Sequence, residues 1–111
     1  FGTSNFHEVF AQIPNEIKVV ALTTGKDGLF LKKEEALLHA GVQIKSVYSA
    51  VGSGDCLTAG ISLAMKNNDT AEEIAKLGAA CGAANCLRPD LGMLYRRDVE
   101  RLKKEVKIIN L

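Results

Sequence analysis

At 111 residues, 47% of them hydrophobic, the chain is long enough for one packed domain and short for a complete α/β enzyme. The 14 basic and 13 acidic residues leave a formal net charge of +1 and are scattered along the chain, which argues against nucleic acid or an acidic surface as the main partner. No apolar run reaches membrane-spanning length, and FGTSNFHEVF lacks the basic-then-apolar order of a signal peptide, so the expectation is a cytoplasmic protein with no membrane contact.

Ser4 or Asn5 can cap a short helix in which Phe6, Val9, Phe10 and Ile13 share one face, stopped by Pro14. The β-branched run Ile17 to Leu22 then reads as a buried strand, TTGKDG as a turn, and Leu29 to Leu31 as a second strand. Loose alternation through Ala36, Leu38 and Ala40, then through Val42, Ile44 and Ser46, predicts short extended segments.

At Ser53 the period changes to that of a helix. Leu57, Ile61, Ala64 and Met65 recur three and four apart, and Asn67-Asn68 ends the pattern. Thr70 and Glu73 fit a capping box at the start of the next helix. Its body, IAKLGAACGAANCL, is dense in Ala and Gly; Gly78 and Gly82 each cost about 1 kcal/mol relative to Ala inside a helix, so close packing or a ligand must compensate. After RPDLG, DVERLKKEV makes one more amphipathic helix, with Arg96, Arg97, Arg101, Lys103 and Lys104 on a solvated face among acids, and VKIINL a terminal strand. No repeat or linker interrupts residues 1–111, which read as one unit.

Cys56, Cys81 and Cys86 lie in apolar helical surroundings without C-x-x-C spacing, and read as reduced core thiols. His7 and His39 have no acid and nucleophile in catalytic order, so both read as surface or boundary residues, and no metal site is indicated.

The stretch SAVGSGDCLTAGISLAM carries the chemistry. A dinucleotide fingerprint would need Gly where Leu57 stands; a P-loop would need a terminal Gly-Lys-Ser/Thr; a nucleophile elbow would need Gly-x-Ser-x-Gly. What remains is Gly52-Ser53-Gly54-Asp55 at a helix start, where glycines permit a sharp turn and the first amides carry the positive end of the helix dipole. Such a turn suits an anion. On local physics alone Asp55 is either a first-turn acid that stabilises the helix or a catalytic group, and both readings stand.

Here the residues resemble a known family. VGSGDCLTAGIS is similar to the signature of the PfkB/ribokinase carbohydrate kinases, with Gly52, Ser53, Gly54 and Asp55 in the turn and Ala59-Gly60 in the helix. VVALTTGKDGLFL resembles that family's strand, turn and strand, with Thr23, Gly25 and Gly28 in place, and KLGAACGAANCL its Ala/Gly helix beside the adenine. The resemblance runs from about Ile17 to Leu111 and implies the C-terminal part of a ribokinase-like, Rossmann-like three-layer α/β fold.

What the resemblance implies chemically is transfer of the ATP γ-phosphoryl group to a sugar hydroxyl, with Mg²⁺ accompanying the ATP. Asp55 would be the general base, and the amides of Gly52, Ser53 and Gly54 an anion hole. Thr23 and Gly25 would contact ribose or phosphates, with Gly82 and Asn85 lining the adenine side. Ser49 and Ala50 stand where many members write Asp-Thr for a monovalent cation, which argues against a potassium requirement. AVGSGD and AACGAANC look closest to the phosphosugar branch, which includes 1-phosphofructokinase and tagatose-6-phosphate kinase and tends to write Asn-Pro-Val-Gly or Ser-Val-Gly there, although Ala50 departs from this pattern as well as from Asp-Thr.

The family's sugar-binding half and lid, and its Mg²⁺-organising N-x-x-E motif, have no counterpart here, and the chain opens on Phe1 rather than Met. The expected whole is a kinase of roughly three hundred residues, with this part inactive alone, an N-terminal half of the same protein as its first partner, a phosphosugar as substrate, and room for a homodimer. The alternatives are a kinase for an unphosphorylated sugar or nucleoside, and a non-catalytic anion-binding α/β module.

Overall fold

A computed structural model describes residues 11–14, 16–23, 28–44, 47, 49–88 and 94–111. The expected helix from Phe6 to Ile13 lies almost wholly outside them, as do His7 and Gly25. Strands β1 (Val19–Thr23), β2 (Leu29–Lys33) and β3 (Ala36–Gly41) come first, followed by helices α1 (Ser53–Lys66), α2 (Ala71–Cys86) and α3 (Arg96–Glu105), with β4 (Lys107–Asn110) closing the order.

The four strands form one antiparallel sheet in the order β1-β2-β3-β4. Only Glu34 and Glu35 separate β2 from β3, and Glu34 takes a left-handed backbone, φ 55°, to make so short a reversal. The alternation places Leu29 and Leu31 opposite Ala40 and Leu38 on one face, where all four are buried. On the other face Phe30 meets His39 with ring centroids 4.8 Å apart, so this histidine is a half-buried sheet residue. Of the second extended segment expected through Val42, Ile44 and Ser46, residues 42–44 belong to no strand and Ser46 lies outside the described residues; β4 pairs with the far edge of β3.

Helix α2 covers the buried face of the sheet, with α1 and α3 packed against it in turn. This central position explains why its Ala/Gly body is buried around most of its circumference. It also answers the question raised by the helix-interior glycines. A Cβ on Gly78 would stand 2.7 Å from Ile61 Cγ1, and one on Gly60 would stand 2.9 Å from both Cys81 Sγ and the Leu77 carbonyl oxygen. The lost helix propensity is offset by the close approach of α1 and α2.

The helix ends follow the sequence signals. Asn68, at φ 57°, turns the chain after α1, and its amide donates to the Met65 carbonyl at 3.0 Å. The Thr70 hydroxyl accepts from the Glu73 amide at 3.2 Å, one half of the expected capping box. Glu73's carboxylate is drawn instead to Lys103, 2.9 Å away on α3.

The solvated face expected on α3 holds an exception. Asp98 is only 6% exposed and receives Arg88 Nε at 2.9 Å and Nη2 at 3.2 Å, while the guanidinium lies 4.4 Å over the Tyr95 ring. This fork joins the end of α2 to the start of α3. The Arg88 hydrogen bonds hold the Asp98 carboxyl below the usual carboxylate range, opposing the effect of burial. A depressed folded value contributes stability that is fully present above the unfolded carboxylate value, about 4, and is lost as pH falls through the folded one. Arg88→Met is therefore expected to cost about 2 kcal/mol at neutral pH, between the exposed-pair and buried-pair values. In urea titrations at stepped pH, the gap from wild type should close below about pH 4; a gap independent of pH would refute the assignment.

Candidate functional site

The glycine turn leaves part of its polar backbone without a protein partner among the described residues. Gly52 sits at φ 84°, a conformation that side chains rarely tolerate, and caps α1 without any side-chain hydrogen bond. The Ser53 amide folds back to the Ala50 carbonyl at 3.2 Å, and the Cys56 amide opens the helix ladder on Gly52 at 3.1 Å. Among the described residues the amides of Gly52, Gly54 and Asp55 have no protein acceptor. Of the three amides expected to form an anion hole, that of Ser53 is engaged by the Ala50 carbonyl, while the neighbouring amide of Asp55 is open.

Asp55 is exposed, and its carboxylate makes no hydrogen bond or ion pair among the described residues. It therefore does not cap the amides of its own helix. A carboxylate so close to open amides also opposes the binding of an anion there, a cost that a site designed only to hold phosphate would avoid.

Beside the turn lies a cleft of about 780 Å³. Thr23 and Gly28 bound it from the strands, Ser53 and Gly54 from the turn, and Gly82 from α2, whereas Gly52 and Asp55 do not line it. Val42, Ile44, Val47, Leu57, Ala79 and Ala83 make the remaining wall mostly apolar. A flat, largely apolar ring fits such a wall, and an anionic tail fits the open amides at its end.

Asn85 is not part of that wall. Ala79, Gly82, Ala83 and Cys86 face the cleft and span about 100° of helix arc, and Asn85 falls about 60° beyond its edge. Instead Asn85 is 1% exposed, and its Nδ2 donates to the Val51 carbonyl at 2.7 Å and stands 3.3 Å from Ser53 Oγ. Ser53 Oγ in turn lies 3.0 Å from Cys86 Sγ. Sequence reasoning missed Ala79, Ala83 and Cys86, although phasing α2 from Gly82 would have found them.

The cysteines do not supply a nucleophile. Burial pushes the Cys56 and Cys81 thiols up, with the charge of Asp55 adding to the effect at Cys56, so both stay protonated at neutral pH. All three cysteines are free and buried.

Residues 4–94 match the family model described as pfkB family carbohydrate kinase. The chain belongs to the pfkB family of carbohydrate kinases. Among the curated members it resembles, the tagatose-6-phosphate kinase of Staphylococcus epidermidis is 26% identical over 97 residues, covering 87% of this chain and 31% of that protein. The chain thus spans about a third of such a relative's length. Among solved structures, Escherichia coli phosphofructokinase-2 in complex with potassium superposes with a TM-score of 0.84 at 21% identity, over 94% of this chain and 34% of that one. Arabidopsis thaliana ribokinase complexed with ribose and ATP gives a TM-score of 0.69 at 25% identity, over 78% of this chain and 29% of that one. These pfkB structures share with it the ribokinase-like α/β fold, of which the described antiparallel sheet and its helices are a portion. Among the described residues no helix is long and apolar enough to cross a membrane.

Proposed function

We propose that this chain is the ATP-binding, C-terminal part of a cytoplasmic pfkB kinase that phosphorylates a sugar phosphate, with Asp55 as the general base. The observation that carries the reading is the pairing, in one helical turn, of open amides at Gly54 and Asp55 with an unengaged carboxylate, at the end of an apolar cleft. The 26% identity to a tagatose-6-phosphate kinase supports a phosphosugar as substrate. Coverage of about a third of that relative supports an N-terminal half that presents the sugar, without which this part would be inactive.

In this reading the Asp55 carboxylate takes the proton of the attacking hydroxyl as its oxygen bonds to phosphorus and the bond to the leaving oxygen breaks. The amides of Gly52, Gly54 and Asp55, with the dipole of α1, hold the charge on the transferred group. The apolar wall seats the adenine, with Thr23 toward the ribose or phosphates and Gly82 allowing close approach. Among the described residues no three His, Cys, Asp or Glu side chains stand together as a metal cage, so Mg²⁺ would enter on the nucleotide phosphates.

Gly54 gives a clean test. A Cβ there would meet nothing within 4 Å, so the fold itself does not need a glycine at this position. A methyl would instead stand where the phosphoryl group must approach the amides. Gly54→Ala is expected to leave the melting temperature unchanged or slightly raised while lowering kcat about 10- to 100-fold, in the range of losing one anion-hole donor. Full turnover in this variant would contradict the proposed phosphoryl site.

A further inference from the structure

We infer that Asn85 is the positioning residue of the glycine turn, its buried carboxamide fixing where α1 begins and hence where Asp55 and the open amides stand. The inference rests on the proposed phosphoryl transfer and adds to it a residue that touches neither nucleotide nor sugar. Left to itself the turn is poorly determined: Gly52 is at positive φ, no side chain caps the helix, and Gly54 has open space around its α-carbon.

Asn85 grips this segment on both sides of Gly52. Its Nδ2 donates to the Val51 carbonyl at 2.7 Å before the glycine and reaches to 3.3 Å from the Ser53 hydroxyl after it. The carboxamide lies directly beneath, since a Cβ on Gly52 would stand 3.7 Å from Nδ2 and 3.9 Å from Oδ1. Its own platform is rigid, because α2 is packed between the sheet, α1 and α3.

The chemistry selects this residue type. Val51 offers a carbonyl oxygen, so the group facing it must donate, which a carboxylate at this position would not do. An aliphatic residue would fill the volume yet leave that carbonyl without this partner. A buried amide in an otherwise Ala/Gly helix is therefore explained by the turn it holds, rather than by the packing of α2.

The test uses the protein at its full natural length, with Asn85→Leu, Asn85→Asp and Asp55→Asn compared with wild type. Folding is checked by near-ultraviolet circular dichroism well below each melting temperature. Displacement of the turn should lower kcat of Asn85→Leu about 10- to 100-fold, with the KM for ATP within about threefold of wild type. For Asn85→Asp, the introduced carboxyl faces the Val51 carbonyl as an anion at high pH and becomes a donor when protonated. Burial raises its titration, so the ratio of variant to wild-type kcat should climb as pH is lowered from about 8 to about 6, whereas the Asn85→Leu ratio stays flat. Asp55 and Cys86, ionisable side chains beside the turn, are present in both proteins, so the ratio reads the introduced carboxyl. Should Asn85→Leu fail to fold, the pH ratio of Asn85→Asp decides alone. Wild-type kcat in folded Asn85 variants, beside a collapsed Asp55→Asn, overturns this inference only; wild-type turnover in Asp55→Asn overturns the base assignment and this inference together.

Discussion

Gly28→Ala is expected to lower the melting temperature of the protein by about 5–15 °C, the largest loss among alanine substitutions at the described glycines. Gly28 precedes β2 at φ 95°, where a Cβ costs about 1–2 kcal/mol from backbone sterics alone. The added methyl would also run into the Ala40 carbonyl oxygen on the neighbouring strand, a backbone atom that cannot rotate aside. Overpacking of this kind adds about 1–3 kcal/mol. Because Gly28 and Thr23 both border the cleft, the proposed nucleotide site predicts that the damage reaches ATP affinity as well. Gly54→Ala is the internal control: the same chemical change, with nothing to strike, should leave the melting curve where it was or move it slightly upward. Thermal melts that moved equally for the two variants would show that this account of the β2–β3 contact is wrong.

Local signals made much of the fold readable in the sequence. The helical period from Leu57 to Met65, the Asn67-Asn68 stop and the Thr70 cap mark α1 and α2 within a residue of their observed ends, because caps and periodicity act over a few residues. What could not be read depends on partners distant in the chain. That β4 pairs with β3 across the whole helical segment, and that α2 lies between α1, α3 and the sheet, is decided by packing between elements rather than by local pattern.

The site divides in the same way. The turn Gly52 to Asp55 declared itself, since glycine geometry and first-turn charge are local properties. Asn85 stood out in the sequence, but its place beneath the turn rather than along the cleft was not legible, because a 100° step per residue turns a small error of phase into a different neighbour. The Arg88–Asp98 fork gave no signal, since nothing in RRDVERLKKE distinguishes the one acid that is buried.

Asp55→Asn is expected to reduce turnover about 10²–10⁴-fold, the usual contribution of a positioned general base, with no loss of fold. The substitution is nearly isosteric, the side chain is exposed, and no hydrogen bond among the described residues depends on it. It removes the proton acceptor and also a negative charge beside the open amides, so ATP affinity should hold or rise slightly as the anion meets less repulsion. These opposite signs separate a base from a helix-stabilising acid. An acid serving only the dipole of α1 would give, on conversion to Asn, a stability loss of about 0.3–1 kcal/mol and no change in kcat. The decisive measurement is kcat and the ATP dissociation constant of Asp55→Asn, determined side by side in the protein at its full natural length. Collapse of kcat with ATP binding retained is the expected result; wild-type kcat would contradict the account.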